Sequence, residues 1–178
     1  MNPTKETSSL SYLNATGHIP YGMTNDYMFR LILEKNNYVL KGLICSLLSL
    51  TPEKITSVEI QNPILLNETV KDKEFILDIK VLMNDSAIIN LEMQMAYMLN
   101  WRERSLSYLC RAFDQLSHGQ LYDNVKPAIH IGFLNFNPTP DDKPEFYASY
   151  KLLNEKTHAA YSDKFILRVV NLKQIDSA

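Results

Sequence analysis

The stretch that decides the fold runs Phe75-Ile76-Leu77-Asp78-Ile79-Lys80-Val81-Leu82-Met83-Asn84-Asp85-Ser86-Ala87-Ile88-Ile89-Asn90-Leu91-Glu92-Met93-Gln94-Met95. Two apolar, β-branched runs flank Asn84-Asp85-Ser86, a cluster of turn formers. The stretch therefore reads as a β-hairpin with strands from Glu74 to Met83 and from Ala87 to Met95. Side chains alternate faces along a strand, so Asp78 shares a face with Ile76 and Lys80, and Glu92 shares one with Asn90 and Gln94. If the loop is the three residues Asn84, Asp85 and Ser86, Met83 pairs with Ala87. The same register then sets Asp78 opposite Glu92, with the two carboxylates roughly 5 Å apart. A two-residue loop would shift the register by one and send the acids to opposite faces. The three-residue loop keeps the apolar sides of both strands together, and it is the register we expect.

Carboxylates opposed on a sheet destabilise it unless a proton or a cation is shared between them. Mg²⁺ takes one or two protein carboxylates and completes its octahedron with waters and substrate phosphate oxygens, which suits a site with few protein ligands. Gln94 could orient an attacking water through its amide but could not act as a base. Lys80 is either a cation for transition-state charge or a side chain extended into solvent. The plainer alternative for Asp78 and Glu92 is a pair of solvated strand acids with no ligand role.

Outward from the hairpin, Thr24 or Asn25 can cap a helix that continues through Leu33, with Asp26 in its first turn where the dipole favours an acid. A second helix is expected from Asn37 to Leu50, carrying Val39, Leu40, Leu43, Ile44, Leu47 and Leu48 at helical spacing before Pro52 stops it. The two should cover one face of the sheet, to which a run from Ser57 to Leu66 contributes a further strand. After the hairpin, Tyr97 to Ser117 reads as a long helix in which Leu99, Leu106, Leu109 and Phe113 face the core, with Gly119 as its C′ residue. Ala128 to Phe136 is a buried strand flanked by Pro127 and Pro138, and Phe146 to Leu153 and Phe165 to Leu172 are further strands. This order fits an α/β or α+β fold with a mixed sheet. We expect residues 1–20 to form a loosely ordered lead-in and 21–178 a single domain.

The 178 residues, 46% hydrophobic and 21% charged, suffice for one buried core. A net charge of −2 neither requires nor excludes a nucleic-acid partner, because phosphate binding needs a local basic face. Cys45 and Cys110 lack metal spacing and read as free thiols of a reducing cytosol. No stretch approaches the ~18 uncharged apolar residues of a membrane span, so a soluble cytoplasmic protein is expected. His18, His118, His130 and His158 show no zinc spacing and read as bystanders. Nucleophile-elbow, Walker and dinucleotide-binding motifs are all missing from the chain.

Several pieces together resemble a known family. Thr24-Asn25-Asp26-Tyr27-Met28-Phe29-Arg30, Phe75-Ile76-Leu77-Asp78-Ile79 and Asn90-Leu91-Glu92-Met93-Gln94 are followed by Arg104 to Tyr108, Gln115-Leu116, Gly119 and Tyr122. In this order and spacing they resemble the recombination-promoting nuclease (Rpn) and transposase family, a branch of the PD-(D/E)xK nucleases. The resemblance spans about residues 21 to 137. It implies a restriction-endonuclease-like αβββαβ core and a DNA endonuclease that depends on Mg²⁺ or Mn²⁺ and acts around mobile elements or recombination. It assigns Asp78 and Glu92 as metal ligands, Gln94 to the place where most of the superfamily has a lysine, and Asp26 as the first-helix acid.

By the same resemblance Arg104 and Tyr108 face the site, although as an i, i+4 pair they could equally make surface contacts. Arg30 stands where a lysine is more usual, and its guanidinium could still hold a phosphate. Asp26 could also be no more than a helix-start acid worth ~0.5 kcal/mol. Family members often extend further at the C-terminus than Ile175-Asp176-Ser177-Ala178, which leaves truncation open. The competing expectation is a catalytically weak or inactive domain of this fold that binds nucleic acid or a protein partner, with homodimerisation plausible for an enzyme that cuts duplexes. The segment from Met93 to Trp101 would serve such a contact.

Overall fold

The structure is a computed structural model that describes residues 22–61, 79–139 and 143–177. The lead-in over 1–20, the expected strand residues 62–66 and 74–78, and Asp78 with them, lie outside the described residues.

The hairpin forms with the three-residue loop. Strand β2 (Ile79–Met83) pairs antiparallel with β3 (Ala87–Gln94) in the register Met83↔Ala87, Val81↔Ile89, Lys80↔Asn90 and Ile79↔Leu91. Asn84 and Asp85 both take left-handed backbone, at φ 52° and 49°, a conformation that Asn and Asp tolerate better than most residues. Ser86 N–H then donates to Met83 O at 3.0 Å. The Asn84 side chain ties this turn to the chain that leads into β1 (Val58–Ile60). Its Oδ1 accepts from Thr56 N, Thr56 Oγ1 and Ser57 N, and its Nδ2 donates to Lys54 O at 2.8 Å. One asparagine thus holds the turn and the neighbouring edge strand in register together.

Among the described residues the sheet has six strands in the order β1-β2-β3-β4-β6-β5, where β4 is Ala128–Leu134, β5 Tyr147–Lys151 and β6 Phe165–Asn171. β3, β4 and β6 run parallel to one another, and the flanking pairs are antiparallel. The mixed α/β architecture is that of a restriction-endonuclease-like fold. Every residue of β4 and all but the last of β3 are buried, as expected for central strands covered on both faces.

Helices α1 (Asp26–Lys35) and α2 (Asn37–Leu48) cover one face, packing Phe29, Leu33, Leu40 and Ile44 into one cluster with Val81, Ile89, Leu91, Ile131 and Phe133. Asn25 caps α1 through Met28 N–H and Asn36 caps α2 through Val39 N–H. α2 ends earlier than expected from Pro52, because Ser49 turns into left-handed backbone at φ 54°.

Helix α3 (Trp101–Phe113) covers the other face and is shorter than the apolar repeat suggested. Its buried stripe is Trp101, Ser105, Leu109 and Ala112, whereas Leu99 is 83% and Leu106 47% exposed. Those two expected core positions are wrong. Small Ser105 and Ala112 allow the helix to approach the sheet, and the large Trp101 fills its first turn; together they outweigh the leucine repeat. The C-terminus is also misplaced, because Gln115 Nε2 captures Ala112 O and the chain leaves the helix there. Gly119 has the positive φ expected of it, 87°, but in a separate turn beyond the helix.

Asn84→Ala should destabilise the protein by about 1–3 kcal/mol, from lost hydrogen bonds and left-handed strain, and Asn84→Gly should cost less because glycine is unstrained there. Urea unfolding of the two variants measures the difference; equal costs would show that strain at φ 52° contributes nothing.

Candidate active site

Glu92 lies in the middle of the sheet and is only 2% exposed. It is on the α3 face of β3, opposite Gly132 of β4. A Cβ at Gly132 would overlap Trp101 Cζ2, so the missing side chain is what admits the indole beside the carboxylate. Two groups approach Glu92 from different elements. Arg104 of α3 donates from Nε to Oε1 at 2.8 Å, and His130 of β4 places Nε2 at 3.3 Å from Oε2.

His130 is fully buried, and its register partner Asn90 sets Nδ2 at 2.9 Å from His130 Nδ1. With the amide nitrogen donating, Nδ1 accepts and the ring proton sits on Nε2, toward Glu92. The 3.3 Å approach is close enough for electrostatic attraction but lacks the alignment of a full hydrogen bond, so Glu92 Oε2, His130 Nε2 and the neighbouring Trp101 Nε1 are buried without a hydrogen-bond partner among the described residues. Tyr108 stacks on His130 at 5.8 Å with 7° between the rings. The Arg104 guanidinium lies 4.8 Å above the Tyr108 ring. An i, i+4 pair on α3 therefore clamps the two polar residues contributed by the parallel strands.

Burial pushes the Glu92 carboxyl upward, but its contacts with His130 and Arg104, together with the Arg104 charge, outweigh it and leave the group below the usual carboxylate range. Asp26, at the first turn of α1, shifts the other way. Burial raises it, its own backbone N–H offsets part of the rise, and the negative charge of Glu92 raises it further. Although Asp26 comes from the opposite helical layer, it lies within electrostatic reach of Glu92.

The other expected site residues divide. Lys80 is exposed, and its pairing with Asn90 puts it on the Glu92 face. Gln94 is half-buried on that face, and its Nε2 donates to Ala96 O at 2.9 Å. Arg30 does not sit where an exposed phosphate contact would require. It is 5% exposed between Phe29 and the buried Leu33 side of α1, with Nε 3.8 Å from Glu34. Asp78 lies outside the described residues. Among those described, no group of three or more His, Cys, Asp and Glu side chains could hold a metal ion.

Reading His130 as a bystander was wrong, because it contacts Glu92 directly. The signal that could have found it is its place in Ala128-Ile129-His130-Ile131, a polar side chain in an otherwise apolar strand, whose relevance appears only when β4 is laid beside β3.

Residues 23–178 match the family model described as PD-(D/E)XK nuclease family transposase. The chain belongs to that family. No curated protein and no solved structure gives a significant match. For a PD-(D/E)XK nuclease family transposase, the central buried carboxylate with cationic and polar partners is the chemically distinctive feature of the described sheet. Among the described residues no helix is long and apolar enough to cross a membrane.

Two predictions follow from this geometry. Gly132→Ala should force Trp101 off the sheet, costing about 1–3 kcal/mol by overpacking and changing the emission of the chain's single tryptophan; unchanged fluorescence and stability would refute the close approach. Because the Glu92 carboxyl is held below its ordinary value of 4.5, its contribution to stability is present above about pH 4.5 and is lost as pH falls through the folded-state value. Glu92→Gln should therefore flatten the acid limb of a stability-versus-pH series while leaving its alkaline limb unchanged.

Proposed function

We propose that this chain is a divalent-metal-dependent DNA endonuclease of the PD-(D/E)XK nuclease transposase family, acting around recombination or mobile elements. The single observation that carries the reading is the ionised, buried Glu92 on a central strand. Among the described residues its Oε2 has no hydrogen-bond partner, and a buried carboxylate oxygen left in that state is costly unless a further partner is supplied.

Two carboxylates are the residue types that suit a hard divalent cation. Glu92 offers a carboxylate oxygen, and Asp78 would offer the second. The expectation that pairs these two acids uses the same register that all five described pairs of the hairpin obey. When bound, Mg²⁺ or Mn²⁺ would polarise the scissile phosphate and lower the pKa of a coordinated water. The chain's own residues do the rest. His130 and Asn90 hold the Glu92 carboxylate from one side, and Arg104 holds its other oxygen. Gln94, whose Nε2 is engaged with Ala96 O, has its carbonyl oxygen to offer as an acceptor for the attacking water. Asp26, with its raised carboxyl, is a candidate to exchange a proton with that water. Lys80, Arg104 and Tyr108 would contact the substrate backbone. Arg30, being buried, is better suited to supporting α1 beneath Asp26 than to direct contact. Homodimerisation would bring two such sites to the two strands of a duplex.

One observation favours a second reading, a nuclease fold that binds DNA without cutting it. Arg104 already supplies countercharge to Glu92 at 2.8 Å, and Gln94 stands at the place of the superfamily's lysine.

Supercoiled plasmid incubated with the protein and Mg²⁺ or Mn²⁺ decides between them. Cleavage is expected with the parent, and Asp78→Ala and Glu92→Asn, each checked for folding by circular dichroism, should lower the rate by about a hundredfold or more. Retained DNA binding with no cleavage under any metal would favour the second reading.

A further inference from the structure

Beside the Glu92 site, on the same face of the sheet, a cleft of about 340 Å³ opens between the β2–β3 hairpin and the segment that follows α3. Leu82 and Ile88 form its apolar floor, Gln115 and Gln120 lie on its helical side, and Lys80 and Lys126 contribute cations. No acidic side chain lines it among the described residues.

The two amides are fixed by backbone groups in opposite senses. Gln115 Nε2 donates to Ala112 O at 2.6 Å and to Lys126 O at 3.2 Å. Both partners are carbonyls, so the nitrogen is committed and Oε1 remains as an acceptor. Gln120 Oε1 accepts from Ser117 N–H at 2.8 Å, which leaves Nε2 as a donor. Two residues of the lining, one with an acceptor and one with a donor left over by these bonds, beside an apolar floor form the pattern of a small-ligand pocket, in which a few polar groups confer specificity.

We propose that this cleft receives a nucleobase of the DNA strand, one that flanks the phosphate at Glu92. A base combines flat apolar faces with donors and acceptors along its edge, matching the leucine and isoleucine floor and the opposed amides. Lys80 and Lys126 supply positive charge for the adjoining phosphates; Lys126 also holds exposed Asp85 at 2.8 Å. The placement fits as well. Lys80 pairs with Asn90, two residues from Glu92, and Ile88 is four residues from it on the same face. At the rise of a strand these steps correspond to ~7 and ~13 Å, the scale of the neighbouring nucleotides of a bound strand. This inference rests on the endonuclease reading for the identity of its ligand, and it assigns the Gln115-Leu116 and Gly119 region a role in base preference.

The test separates the two. Without divalent metal, so that nothing is cut, the parent is titrated with each of the four deoxynucleoside 5′-monophosphates and with a short single-stranded oligonucleotide, and amide side-chain resonances are followed by NMR. At least one mononucleotide should shift the Gln115 and Gln120 signals, and Gln120→Leu should weaken its binding about tenfold. Leu82→Trp, which fills the cleft without touching either amide, should abolish that binding even if Gln120→Leu perturbs the local turn. With Mg²⁺ or Mn²⁺, sequenced cleavage ends should show a base preference at a fixed offset from the cut that flattens in Gln120→Leu. Mononucleotide binding in the cleft without any cleavage would support the pocket and defeat the endonuclease reading. Cleavage with no shift at Gln115 or Gln120 and no base preference would overturn the pocket and leave the endonuclease standing.

Discussion

An ionised carboxylate in the middle of a sheet constrains everything around it. Glu92 is on a strand whose other residues, apart from Asn90 and Gln94, are apolar and whose two faces are covered by helices. Water cannot solvate it there, so other elements must supply hydrogen bonds and positive charge. Arg104 arrives from α3, and His130 arrives from β4 with Asn90 to orient it. The helix can deliver Arg104 only if it lies close to the sheet. That proximity is achieved by Gly132 beneath Trp101 and by the small side chains of Ser105 and Ala112.

The same constraint explains why the hairpin register is so firmly held. A slip of one residue between β2 and β3 would turn the polar face of one strand toward the apolar face of the other. Asn84 prevents it through a left-handed turn and a set of bonds to residues 54–57, which makes the loop part of the edge of the sheet rather than a free connection. The polar row Lys80, Asn90 and His130 then crosses three adjacent strands on one face. This row links the buried carboxylate to the exposed edge where the cleft opens.

Countercharge is both a structural necessity and a functional variable here. With Arg104 on Glu92 the interior is electrically balanced without a cation, and Asp26 nearby is pushed toward its protonated form by burial and by Glu92. Adding positive charge at this point would favour ionisation of Asp26 and release part of the demand on Arg104.

What the sequence determined by itself is the local chemistry. The turn formers Asn84-Asp85-Ser86 selected the loop, the loop set the register, and the helices start where expected, α1 behind its cap Asn25 and α2 at Asn37. The apolar character of Ala128 to Leu134, broken by His130, marked a buried strand. These depend on neighbours a few residues apart, and that information is present in order along the chain. Which face of α3 is buried depended instead on packing. Leu99 and Leu106 fit a helical repeat as well as any core residue, yet Leu99 falls before the first residue of α3, and Trp101 over Gly132 sets a rotation of the helix that leaves Leu106 outside. His130 looked like an isolated histidine because its partners, Asn90 and Glu92, are about forty residues away and meet it only through the parallel pairing of β3 and β4. Arg30 was legible as a cation but not as a buried one. A residue's charge is written in the sequence; the dielectric around it and the groups that face it are decided by how the strands and helices come together.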